Sequence, residues 1–344
     1  MENASQRKKL AKEDFPKLTI LSFIDPRKPW LLVPSGSLMG YFDFVSEHYR
    51  IGPWTRLSMA LPIIFSIAVF SIRPGTELPL SKGFETVDSS DHRCCLKASS
   101  YPEVFSVYWW YNVIFFVHMT GLVCLSMFKK TPFIIFAYTM QSWVMNSTRH
   151  GLNALAPFLN DGHFLLHINR VLRFPALLSS VLVFVIWNFI LLPFFYVSFN
   201  DTKRKDFMKW NIEFRMVQYH ICNVIYSAMN TLFTQSGDNT FQLFIYEDLW
   251  YALVYGLGYS LFYVLFLDRI GIHMYPVFSP RTNRSALLWL GMWIGSFAIF
   301  KTINATMEKN LISVPAPITF GIVISAVLEL KSGALKRYIS RSSR

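Results

Sequence analysis

Long apolar blocks, separated by short basic or polar connections, constrain this chain more than any other feature of its sequence. They fall at about 57–72, 106–128, 132–148, 174–199, 213–234, 248–267, 285–303 and 313–330. Several approach the roughly 20 residues an α-helix needs to cross hydrocarbon. A lipid-exposed segment must satisfy its own backbone amides, so blocks of this length are expected to be helices packed as a bundle. Of the residues, 53% are hydrophobic and 16% charged, against about 25% charged in an average soluble domain. The expected fold is therefore an all-α, polytopic transmembrane helix bundle of about eight spanning helices. Residues 1–56 read as a cytosolic or interfacial segment, 57–330 as the transmembrane domain and 331–344 as a basic cytosolic tail.

A formal net charge of +12 can signal nucleic acid, but here the bases sit in the tails and in short loops. That is the distribution of cytosolic connections in a membrane protein, and it makes the bilayer rather than nucleic acid the expected partner. With the amino terminus inside and all eight blocks crossing, the cytosolic connections hold Lys129 and Lys130, then Lys203, Arg204 and Lys205, then Arg281 and Arg284, then the tail. The stretch 149–173, on the other side, is the poor fit because it carries Arg149, Arg170 and Arg173. The first block is short: at about 1.5 Å per residue it covers about 24 Å. It either spans with Arg56 and Arg73 snorkelling or lies at the interface. With no early apolar stretch to be cleaved, it is expected to act as an uncleaved insertion signal. Cys94, Cys95, Cys124 and Cys222 form neither a disulfide framework nor a metal spacing. Asn146 and Asn304 begin glycosylation triplets, both at expected helix ends.

Polar residues inside the blocks are the candidates for chemistry, since they are costly in lipid unless they face the bundle interior. His220, Asn223, Ser227, Asn230 and Thr234 recur at helical spacing and share one stripe. Thr139, Ser142 and Asn146 form a shorter stripe, with Gln141 beside it, and Thr139 in the middle of its block. Tyr251, Tyr255, Tyr259 and Tyr263 repeat every four residues, a register that can line an apolar pocket with hydroxyls. Asn112, His118 and Asn188 add isolated polar groups. Many such residues simply bond helices together. An imidazole differs because it can act as a base near neutral pH. If the helices carrying Thr139 and His220 meet, the two side chains make a minimal nucleophile–base pair. The chain holds no serine-elbow, zincin, phosphate-loop or dinucleotide motif. His163 and His167 are four apart but have no acidic or cysteine partner nearby. Neither metal nor other cofactor is expected.

The stretch from about 106 to 304 resembles the androgen-induced-gene family of multi-pass membrane proteins. Ala137-Tyr-Thr-Met-Gln-Ser-Trp-Val144 is similar to that family's threonine helix, and Phe174-Pro-Ala-Leu-Leu178 to the opening of the helix that follows. Tyr219-His-Ile-Cys-Asn223 stands where the family has its histidine, and Gly271-Ile-His-Met-Tyr-Pro-Val-Phe278 resembles a turn before its last core helix. Some family members show two histidines three residues apart, where this chain has His220 and Asn223. The resemblance implies a six-helix core with flanking helices added. It also implies residence in the endoplasmic reticulum and a threonine hydrolase acting on fatty-acid esters, with Thr139 as nucleophile and His220 as base. Asn223, Ser227, Asn230, Ser142, Tyr251, Tyr255 and Tyr259 are the expected substrate contacts. Two rival readings use the same residues: a non-enzymatic lipid-binding or transport protein, and a structural subunit whose polar stripes pack only against its own helices. Protein partners are open.

Overall fold

A computed structural model describes residues 54–74, 101–129, 132–199, 201–233, 244–269, 275 and 278–308. The eighth apolar block, the basic tail, Thr234 and most of the amino-terminal segment lie outside these. Among the described residues all regular structure is helical, as the apolar blocks predict. The helices are α1 (Arg56–Ser71), α2 (Val107–Lys129), α3 (Tyr138–Leu155), α4 (164–198), α5 (Asp201–Asn211), α6 (214–233), α7 (246–267) and α8 (Asn283–Glu308). Three of them contain a π turn: Ile186–Leu191 in α4, Gln218–Cys222 in α6 and Tyr263–Leu267 in α7.

Four helices are long and apolar enough to cross a bilayer, namely α2, α4, α7 and α8. The protein is an integral membrane protein with an all-helical bundle. The remaining bundle helices, α3 and α6, are less apolar because their inward faces carry Asn, Ser, Thr and His. α3 has 18 residues, of which fourteen are buried, among them the polar Ser142, Asn146, Arg149 and Asn153. It packs between α2 and α4. At the α2 contact Gly151 permits a close approach: a Cβ there would lie 2.9 Å from the Phe116 ring, which would have to shift.

α1 runs antiparallel to α7 along its length. Trp54, just before α1, donates to Asp268 beyond the end of α7 at 2.9 Å, while Tyr246 at the start of α7 donates to the Ile72 carbonyl at 2.6 Å. Phe65 stacks on Trp293 of α8 with ring centroids 4.3 Å apart. The opposite face, with Ile63, Ile67 and Phe70, is exposed. The short first block therefore lies along the bundle axis rather than across it.

The arginines of 149–173 were expected in a loop, and this expectation is corrected. Arg149 belongs to α3, and Arg170 and Arg173 belong to α4, which starts at Phe164 rather than 174 and carries Pro175 inside it. Each of the three has partners that make burial tolerable. Arg149 donates to Asn169 and Thr231 at 3.3 Å each, Arg170 pairs with Glu247 at 2.8 Å, and Arg173 lies over the Phe244 ring at 4.5 Å. His163 caps α4, accepting from the Leu165 amide at 3.2 Å. Both asparagines of the two triplets are engaged inside the protein. Asn146 is fully buried, and Asn304 clasps the Phe244 backbone through both ends of its amide at 3.0 and 2.7 Å. Peptide mass spectrometry of the protein from a eukaryotic host is expected to find both unmodified; a glycan on either would contradict this packing.

Candidate active site

Thr139 is the second residue of α3, not a mid-helix residue. A short 3-10 turn, Pro132–Phe136, takes up the first part of its block, and Ala137 is extended before the helix begins. The first amides of a helix have no carbonyl partner within it. The Thr139 amide finds the Tyr275 hydroxyl instead, at 3.3 Å. The positive end of the helix also favours negative charge at this point.

His220 lies in the π turn of α6. Its Nδ1 is 3.1 Å from the Met216 carbonyl. A carbonyl can only accept, so Nδ1 carries the proton and Nε2 presents its lone pair. Nε2 lies 3.5 Å from Thr139 Oγ1. That is the outer edge of hydrogen-bond reach, a separation common in catalytic pairs before substrate binds. Thr139 and His220 are 8% and 5% exposed. The Tyr275 hydroxyl is 3.1 Å from Thr139 Oγ1. With the threonine proton directed at Nε2, Tyr275 donates to the threonine oxygen and accepts from the threonine amide. Tyr275 is held in turn by Tyr263, which donates to its carbonyl at 2.9 Å.

Two π turns build the imidazole's seat. Trp187, in the π turn of α4, stacks on the His220 ring with centroids 4.0 Å apart and planes 19° apart. Its indole donates to Asn211 at 2.8 Å. The next residue, Asn188, donates to the His220 carbonyl at 3.1 Å and to the Phe184 carbonyl at 2.8 Å. Such turns leave carbonyls without their usual helical partner, and Asn188 satisfies one on its own helix and one across the α4–α6 contact. The indole face also favours a positive charge on the imidazole.

Beside Thr139 lies a cavity of about 20 Å³, lined by Thr139, Trp187, Tyr259 and Tyr275 among apolar side chains. His220 is not among its lining residues; it adjoins the cavity behind Thr139 and Trp187. This end of the bundle gathers the start of α3, the first turns of α6 and the α7–α8 connection.

The other expected contacts are distributed differently. Tyr259 lines the cavity and donates to the Phe136 carbonyl at 3.0 Å. Tyr251 bonds Glu247 at 2.6 Å, far along α7. Tyr255 faces the Tyr138 ring, with centroids 6.3 Å apart. Ser142 and Asn223 bond each other at 2.9 Å, and Asn146 bonds Asn223 at 2.8 Å and Ser180 at 2.7 Å. Asn230 meets His150 and Asn112 at 2.9 and 3.2 Å. Ser227 is fully buried on the same stripe. Ser142, Asn146, Asn223 and Asn230 make a polar layer joining α6 to α2, α3 and α4, adjacent to the Thr139–His220 pair but outside the cavity.

No protein-family model, curated protein or solved structure matches this chain. The functional reading stands on the site itself. Tyr275 and Trp187 were not singled out for chemistry from sequence, although Tyr275 sits in the tyrosine–proline stretch noted above.

Proposed function

We propose that the protein is an intramembrane hydrolase of lipid esters, with Thr139 as nucleophile and His220 as general base. The observation that carries the reading is the approach of a buried alcohol to Nε2 of a buried imidazole whose Nδ1 faces a carbonyl and whose ring is stacked on Trp187. His220 Nε2 takes the hydroxyl proton as Thr139 Oγ1 attacks the ester carbonyl carbon. The tetrahedral intermediate collapses, and the departing alkoxide takes that proton from His220 to leave as alcohol. Water then attacks the threonyl ester, again giving its proton to His220. The fatty acid leaves and Thr139 regains its hydrogen. The Tyr275 hydroxyl and the Thr139 amide that it accepts from are the donors nearest the oxygen that develops charge.

A substrate dissolved in the bilayer suits a reacting pair buried among spanning helices. The basic connections lie at the same end as Thr139, so the site faces the cytosol under the positive-inside rule. The start of α1 then lies on the cytosolic side, and with the eighth block, outside the described residues, crossing as expected both termini are cytosolic; the resemblance noted above suggests the endoplasmic reticulum.

The test is hydrolysis of fatty-acid esters by the purified protein in lipid nanodiscs. Release of fatty acid is expected, and no turnover of any acyl ester would end the proposal. Tyr275→Phe is expected to lower kcat by about 10²-fold with little change in KM, as for the loss of one donor to a developing oxyanion. A non-catalytic acyl-binding protein is the second reading, favoured by the apolar lining of the cavity and by His220 standing behind it.

A further inference from the structure

Three cavities lie in succession through the half of the bundle formed by α4, α7, α8 and α1. The first is the one beside Thr139, with Val183, Leu191 and Met292 on its walls. The second lies deeper between α4, α7 and α8, against Leu178, Leu182 and Gly256, and shares Tyr138, Trp289 and Met292 with the first. The third lies against α1, bounded by Leu61, Pro62 and Phe65, and shares Ser260 and Trp289 with the second. Each has a volume of about 20 Å³, room for little more than a water-sized group. Among the described residues, Trp289 is the one whose side chain lines all three.

We propose that these cavities are segments of a single channel for an unbranched fatty acyl chain, running from Thr139 toward α1, with Trp289 as the divider that sets the length of chain admitted. Protein interiors are close-packed, so adjoining voids that share walls mark a line along which few side chains need to move. The walls of the first and third segments are almost wholly aliphatic and aromatic, and the middle one adds Ser260 and Ser296, whose hydroxyls donate to carbonyls of their own helices, a lining that suits a hydrocarbon chain. One end is lined by Thr139, beside which an ester carbonyl would sit. The other ends behind α1, whose opposite face is the exposed Ile63, Ile67 and Phe70. Met292, flexible and polarizable, lines the first two segments and can give way to a chain. At Gly256 an added Cβ meets nothing within 4 Å, so the middle segment has unfilled width beside that backbone.

The proposal deepens the hydrolase reading but rests on it only for the position of the carboxyl end; the channel can hold a chain without turnover. The test uses full-length protein in nanodiscs. Gly256→Val should narrow the middle segment, and Trp289→Ala should join all three. With p-nitrophenyl butyrate and palmitate as substrates, Gly256→Val is expected to lower the palmitate-to-butyrate rate ratio about tenfold and Trp289→Ala to raise it, the scale of discrimination by fit in an apolar pocket. An unchanged ratio in Gly256→Val overturns the channel, whatever becomes of Trp289→Ala. A second measurement does not need turnover. Palmitic acid with a diazirine at its far end is photolysed on Thr139→Ala protein. Labelling of the α7 or α8 wall, competed by palmitate and reduced by Gly256→Val, supports the channel. Labelling elsewhere, or labelling indifferent to Gly256→Val, overturns it. Wall labelling without any ester turnover keeps the channel and removes the hydrolase. Turnover with an indifferent chain-length ratio does the reverse.

Discussion

Thr139→Ala is expected to abolish covalent labelling by a fluorophosphonate probe and to cut fatty-acid ester hydrolysis by about 10⁴-fold, the usual scale for loss of a nucleophile acting with its base. The alanine keeps the helix start and removes the oxygen that lies between His220 and Tyr275, together with the γ-methyl. His220→Phe should cost about 10³-fold, within the range of a lost general base. Phenylalanine can retain the stack on Trp187, so the loss would reflect the missing nitrogen rather than a collapsed wall. Because the two residues act as a unit, the double variant should be hardly worse than Thr139→Ala alone. Labelling of the parent protein that persists in Thr139→Ala would remove Thr139 as nucleophile. Additive losses in the double variant would show that the pair does not share a step.

The second large effect concerns stability. Asp268, at the end of α7, is fully buried and paired with the nearly buried Arg281, and it also accepts from the Trp54 indole. Asp268→Ala would leave the Arg281 cation without its carboxylate, a change that costs about 3–5 kcal/mol when one partner of a buried pair is removed. Thermal unfolding in detergent should show a markedly lower Tm. Removing both charges with Asp268→Leu and Arg281→Met together should recover much of the loss, since apolar replacement of a whole buried pair is often neutral. The pair also ties three parts of the molecule together: the entry to α1, the end of α7 and the segment leading into α8. The Thr55 amide bonds the Pro280 carbonyl at 2.9 Å in the same region. Tyr275 lies between the paired residues in sequence, so loosening this tie should reach the active site. A parent-like Tm in Asp268→Ala would refute the role given to the pair.

Most of the helices were legible because lipid leaves an apolar block few alternatives. α2, α7 and α8 begin and end close to the limits of their blocks. The boundary between α3 and α4 was misread for a physical reason. Arginine usually marks the water side of a helix end, yet Arg149 is 1% exposed and bonded to side chains on two other helices. Three-dimensional partners decide such cases, and sequence spacing does not display them. At the candidate site, the juxtaposition of Thr139 and His220 followed from asking which hydroxyl and which imidazole sit on inward stripes. The role of the rest of the histidine stripe did not follow. Asn223 and Asn230 have the same helical spacing as a pocket lining, but hydrogen-bond to neighbouring helices as cross-links do. Tyr275 was hidden because a residue in a connection carries no periodic signal; only the fold brings it over the start of α3.

The π turn that holds His220 has a consequence for how such a centre can arise. A helix with 3.6 residues per turn rotates about 100° for each residue gained or lost. One additional residue in α6 therefore swings everything on one side of Gln218–Cys222 relative to the other. Deleting a single position there would restore an ordinary helix and turn the imidazole away from the alcohol, while leaving the composition of the bundle almost untouched. The difference between an inert spanning helix and one that presents a base can thus be a single codon, inserted where a neighbouring asparagine is already placed to accept the distortion.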